Sequence, residues 1–404
     1  MNSRLVVVLV IIVGMCLSVL TAYLFSRRQN ALVVDRFAAA LATIQSCGGE
    51  SNAVVCSRPI IRKLLQTETP SEILKQLESH VSPPQCHFVG HVLGQELYEQ
   101  DQDIETALAR CSRVCDSACE HGVIGEAFAE KLGLGTPDKE IDVDLSHLNP
   151  DDIRILGKQL CTSPEACHGV GHVIFQTTLD LHKAMDLCTD VALRDSSTCY
   201  NGVAMEYSDI LSSRNMREVS GVTHPDLKKL GTLCINFSTA AQSRSCFHYF
   251  ARMAVAEMMA QGRPEDDGLA RVKKICGAYQ STKLQATCFQ GYGAYRTYLV
   301  LTDQDAALRV CETVTSDRNK AACYFGQVAA GVENRQNKLI EYCGKLPIEG
   351  FQYSCYQSVF SYLYKLDLSM DNARQKCEAK TPCLRGYEDH AEDPWDVMEK
   401  TFTD

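Results

Sequence analysis

An all-α fold of helical hairpins, each closed by a disulfide, is what this 404-residue chain predicts. Three observations carry that reading. Cysteines recur in pairs at a nearly constant gap, helix-like segments flank each gap, and a cysteine–histidine motif occurs twice at an offset of 80 or 81 residues. Such spacing is that of stacked two-helix repeats, in which each unit covers its neighbour's apolar face.

The cysteine rhythm is clearest in the second half. Ten residues separate Cys188 from Cys199, and eleven separate the members of Cys234/Cys246, Cys276/Cys288, Cys311/Cys323 and Cys343/Cys355. An aromatic follows the second cysteine of every pair, as in "CYNGVAMEYS", "CFHYFARMAV" and "CFQGYGAYRT". Segments such as "DDGLARVKKIC" precede the first cysteine and read as helices. A bridge within each pair would tie the end of one helix to the start of the next. Closing a loop of this size stabilises by roughly 3 kcal/mol in the loop-entropy model. Cys47–Cys56, Cys161–Cys167 and Cys377–Cys383 are expected as further local bridges, and Cys111–Cys119 as a shorter version of Cys188–Cys199. Two cysteines then remain, Cys86 and Cys115. The segment "HVSPPQCHFVGH" (80–91) aligns without gaps to "CTSPEACHGVGH" (161–172), so His80 stands where Cys161 stands. Cys86 has therefore lost the partner that Cys167 keeps, and Cys86–Cys115 is expected as a compensating bridge.

The N-terminus is different in kind. From Leu5 to Phe25 no residue is charged, and a helix of that length, at about 1.5 Å per residue, spans a bilayer core of about 30 Å. We read residues 1–30 as an uncleaved signal anchor. Arg4 on one flank and Arg27, Arg28 and Arg36 on the other mildly favour a cytoplasmic body. The cysteines argue the reverse and outweigh that count. Apart from Cys16 in the apolar stretch, 20 of the 21 cysteines lie in the body, with no C-x-x-C pair. An even, metal-motif-free set of this size belongs to an oxidising compartment. The expectation is a single-pass membrane protein with its body periplasmic or extracellular. Residues 31–85 form a helical lead-in, 86–212 a duplicated module, 213–376 the stapled hairpin repeats, and 377–404 an acidic tail that is mobile or docks peripherally. A net charge of −10 argues against nucleic acid as a partner.

The duplicated module carries the chemistry. Each copy reads C-H-x-x-G-H, then about 30 residues, then C-x-[HN]-G-x-x-x-E. The first supplies His87, His91, His121 and Glu126; the second supplies His168, His172, Asn201 and Glu206. Histidines four residues apart lie about 40° apart around a helix, so each pair projects from one face. Two imidazoles so placed can chelate one ion. His87, His91, His168 and His172 are expected as ligands and His121 as a fifth, for zinc, copper or iron. Glu126, Asn201, Glu206 and His248 are candidates for supporting contacts or a polar core. His121 and Glu126 lie about 140° apart on a regular helix, so they need not face one site. Glu96 and Gln95 follow His91 by one turn, with solvent exposure the expectation for Glu96. Glycines at 90, 94, 122, 125, 169, 171 and 202 fall inside these helix-like segments, where each costs about 1 kcal/mol relative to alanine. Close approach of another helix is the usual reason for such glycines.

Other chemistries lack their residues. The zinc-protease H-E-x-x-H fails because Phe88 or Gly169 follows the first histidine. C-type haem attachment, nucleotide fingerprints and the G-x-S-x-G elbow are absent. Three alternatives to metal stay open: a hydrogen-bonded polar core within a scaffold that binds another envelope protein, acid–base chemistry by histidine alone, and a pH sensor whose clustered histidines charge together on acidification.

The paired C-H-x-x-G-H and C-x-H-G-x-x-x-E motifs resemble those of bacterial membrane-anchored cysteine-rich proteins over residues 86–208. That resemblance implies no activity. The one-disulfide-per-hairpin organisation is similar to Sel1-like repeats, although cysteine spacing and consensus differ, so it implies architecture alone.

Overall fold

The computed structural model describes residues 37, 39–44, 50–81, 83–112, 114–115, 117–133, 149–191, 196–212, 221–222, 229–329, 336–365, 369–377 and 380–402. The signal-anchor expectation falls outside them. Among the described residues no helix is long and apolar enough to cross a membrane.

The fold is all-helical, with no strand among the described residues. The helices are α1 (Glu50–Leu64), α2 (Pro70–His80), α3 (Pro83–Asp101), α4 (Ile104–Arg110), α5 (Ala118–Lys131), α6 (Pro150–Leu160), α7 (Pro164–Thr178), α8 (Leu181–Val191), α9 (Ser197–Ser212) and α10 (Ala240–Ala260). They continue as α11 (Glu265–Ala278), α12 (Thr282–Ala294), α13 (Thr297–Thr302), α14 (Gln304–Glu312), α15 (Asp317–Ala329), α16 (Gln336–Gly344), α17 (Glu349–Lys365), α18 (Asp371–Gln375), α19 (Thr381–Glu388) and α20 (Pro394–Thr401).

Local sequence sets the starts of these helices. Thr69 and Glu72 form a reciprocal capping box at α2, and Thr239 and Gln242 do the same at α10. Ser163 caps α7 ahead of Pro164, whose missing N–H costs nothing in the first turn. The staples fall where the spacing placed them. Cys188–Cys199, Cys276–Cys288, Cys311–Cys323 and Cys343–Cys355 each join a helix to the early turns of the next. Cys86–Cys115, Cys111–Cys119, Cys161–Cys167, Cys234–Cys246 and Cys377–Cys383 also form. Cys56 is disulfide-bonded; Cys47, its expected partner, lies outside the described residues. Before Cys234 only a single 3-10 turn, Leu230–Thr232, is described, so that unit departs from the helix–staple–helix pattern.

The helix that carries Cys86 and those that carry the second cysteines pack in series. α3 packs on α5, α5 on α7, α7 on α9, and the series continues through α10, α12, α15, α17 and α19. The first helices of the pairs lie beside this series: α8 touches α7 and α9, and α11 touches α10 and α12. Two apolar clusters fill the interior. One runs from Phe37 to Ala127 and the other from Ile124 to Met398, so they meet on α5. The acidic tail is part of this packing: Trp395 is buried against Phe325, and its indole N–H donates to Glu399.

Candidate metal centre

Glycine makes the centre possible by letting backbones touch. A Cβ on Gly122 of α5 would stand 2.0 Å from the His91 carbonyl oxygen of α3. A Cβ on Gly202 of α9 would stand 2.0 Å from the His168 carbonyl of α7. No side chain tolerates that, so both positions require glycine. α7 then seats on α5 through Gly169, whose ideal Cβ position is 3.3 Å from the His121 Cα. Three helices thus converge with their histidines inward.

Five imidazoles meet there. Ring centroids lie 4.6 Å apart for His87 and His91, 4.9 Å for His168 and His172, and 5.6 Å for His91 and His172. The His121 ring stacks on His168 at 4.6 Å and stands 5.5 Å from both His87 and His91. Among the described residues two groups could hold a metal ion: His87, His91 and His121, and His121, His168 and His172, each with its ligand nitrogens within 4.8 Å of one another. His121, expected as an accessory fifth residue, belongs to both.

Outer contacts orient the rings. His87 Nδ1 donates to the Cys115 carbonyl at 3.0 Å, which leaves the Nε2 lone pair facing inward, 3.1 Å from His91 Nε2. His172 Nδ1 donates to Glu206 at 2.7 Å, and Gln176 Nε2 donates to the other Glu206 oxygen at 2.9 Å. A backbone carbonyl or carboxylate behind the distal ring nitrogen is the usual support of a metal-binding histidine. His121 Nδ1, His168 Nε2 and His172 Nε2 are buried with no hydrogen-bond partner among the described residues.

Electrostatics keep four of these rings uncharged. Burial, reinforced by repulsion among the neighbouring imidazoles, holds His91, His121 and His168 well below the ordinary histidine value. Burial, with His87 and Arg252 adding to it, brings His172 down to about 3. Glu206 is pushed up to about 7 by burial, against the pull of Gln176 and Arg252. At neutral pH these four histidines are neutral imidazoles, the protonation state that binds metal.

The remaining candidates lie outside both groups. Asn201 is half-buried on α9. His248, on α10, sets its ring against Tyr249 at 4.8 Å, and burial draws it down to about 4. Glu126 is buried, with an Arg58 nitrogen 3.9 Å away. Glu96 is not exposed as expected: it is 1% exposed and paired with Arg58 at 2.8 Å and Arg62 at 2.7 Å. Arg58 also binds Glu99 at 2.7 Å. These arginines clamp α1 onto α3, next to the histidines, and their i, i+4 spacing was the available signal. Gln176 follows His172 by the same step, so it too shares a face with its histidine.

Comparisons with protein-family models, curated proteins and solved structures find no match to this chain.

Proposed function

We propose that this is a membrane-anchored, extracytoplasmic metal-binding protein, its centre built where duplicated helical hairpins converge and the later hairpins extending it as a solenoid. The observation that carries this reading is the set of three buried imidazole nitrogens with no hydrogen-bond partner among the described residues, inside a five-histidine cluster. A buried polar atom left unpaired costs about 1–3 kcal/mol. A polar core built for packing alone would have paired them, whereas a bound cation gives each lone pair a partner. All-imidazole donors suit zinc, copper or iron. The nine disulfides between described residues support an oxidising compartment.

Full-length oxidised protein, purified without a histidine tag, tests this by elemental mass spectrometry beside His87→Ala/His168→Ala. Near-stoichiometric metal, lost in the variant, is the expected result. No metal in either protein after incubation with zinc, copper and iron salts and dialysis would leave a scaffold with structural histidines as the better account.

A further inference from the structure

Resting on that reading, we propose that the cluster holds two metal ions rather than one, with the His121 ring standing between them and offering one nitrogen to each. One ion bound at about 2.0–2.1 Å needs all its ligand nitrogens close to one another, so nitrogens that do not fall within one group call for more than one ion. The five imidazoles instead fall into two trios, each within 4.8 Å, that share one member.

The duplication explains the sharing. Each copy contributes one i, i+4 pair, His87/His91 and His168/His172, enough to chelate one ion apiece. Each copy then needs a third ligand from the position two residues after its second motif cysteine. The first copy has His121 there and the second has Asn201. The second pair therefore has no third histidine of its own. Gly169 supplies the remedy by seating α7 directly on the His121 backbone, which stacks His121 on His168.

Each half is also separately equipped. His87 and His91 bring their Nε2 atoms 3.1 Å apart, close to the separation of two nitrogens on one ion. In the other half His168 Nε2 and His172 Nε2 are both buried and unpartnered, with Glu206 behind His172. His121 Nδ1 is unpartnered as well among the described residues, so no described protein group competes for it. Binding at both ring nitrogens removes the one remaining ring proton, which leaves to solvent as the second ion enters.

The test is a titration of the full-length, tag-free oxidised protein with Cu(II), followed by dialysis, metal counting per chain and electron paramagnetic resonance. Two ions per chain are expected, with an integrated signal below two spins because the ring couples the ions. His172→Ala and His91→Ala should each reduce the count to one. His121→Asn should weaken the second ion at least about 100-fold, since loss of even an outer contact costs 10- to 100-fold. Helical circular dichroism confirms that each variant is folded. Saturation at one ion overturns the two-ion inference and leaves the metal-binding reading standing; no ion at all overturns both. Two uncoupled ions, unchanged in His121→Asn, overturn the shared ring.

Discussion

Gly122→Ala should cost stability and metal together, because one methyl group forces apart the two helices that carry the first trio. The added Cβ would lie 2.0 Å from the His91 carbonyl oxygen, 2.8 Å from its carbon and 2.9 Å from its Cα, all backbone atoms that no rotamer change can move. Ordinary contact begins near 3.4 Å, so α5 must withdraw from α3 by about 1.4 Å at that point. Metal–ligand distances tolerate only about 0.2 Å. Overpacking costs about 1–3 kcal/mol or more, and the gain in helix propensity returns about 1 kcal/mol. A net loss of about 2 kcal/mol in urea unfolding is expected, with metal affinity reduced beyond that of any outer-contact variant. Gly125→Ala supplies the control three residues on. No described residue lies within 4 Å of its ideal Cβ, so it should gain up to about 1 kcal/mol and bind metal normally. If Gly122→Ala matches Gly125→Ala in both measurements, the glycine-dependent approach does not build the site.

Glu206→Gln keeps the shape beside His172 but removes the carboxylate that accepts its Nδ1–H, and should weaken metal binding about 10- to 100-fold by calorimetric titration. Unchanged affinity would remove Glu206 from the account. Arg58→Ala leaves Glu96 and Glu126 buried with less compensation and should cost about 3 kcal/mol, whereas Arg62→Ala, half exposed, should cost less than about 1 kcal/mol. Equal losses would contradict the buried clamp. Metal-free protein should lose stability as pH falls below 6.5. The folded-state values of His91, His121, His168 and His172 all lie below that of the unfolded chain, so the unfolded state binds more protons there. Each engaged histidine contributes up to about 1.4 kcal/mol per pH unit. Glu206, raised to about 7, gains stability over the same fall and offsets one histidine. A urea midpoint that is flat or rising between pH 7.5 and 5 would refute this balance.

Features with short sequence range were legible. The staples follow from pairs with ten or eleven residues between them, and the inward face of α3 and α7 follows from His87/His91 and His168/His172. What joins distant segments was not. In the second copy Gly171 lies against the Cys199 carbonyl, yet its aligned partner Gly90 lies against Ala118, and Gly94 takes the place beside Cys119. Likewise Gly202 meets His168 while Gly122 meets His91, one turn farther along. The two hairpins thus cross at registers one turn apart despite a gapless alignment of their motifs. Register between helices depends on how ridges and small residues of separate segments interlock, which the spacing within either segment does not encode. The same holds for Glu96, whose polar character suggested solvent. Its buried partner Arg58 lies 38 residues upstream.

X-ray absorption at the metal edge of the loaded, full-length protein tests the central claim most directly. A first shell of nitrogen at about 2.0–2.1 Å with imidazole multiple scattering is the predicted result. A shell containing sulfur, or oxygen alone without imidazole, would contradict a centre built from these five histidines.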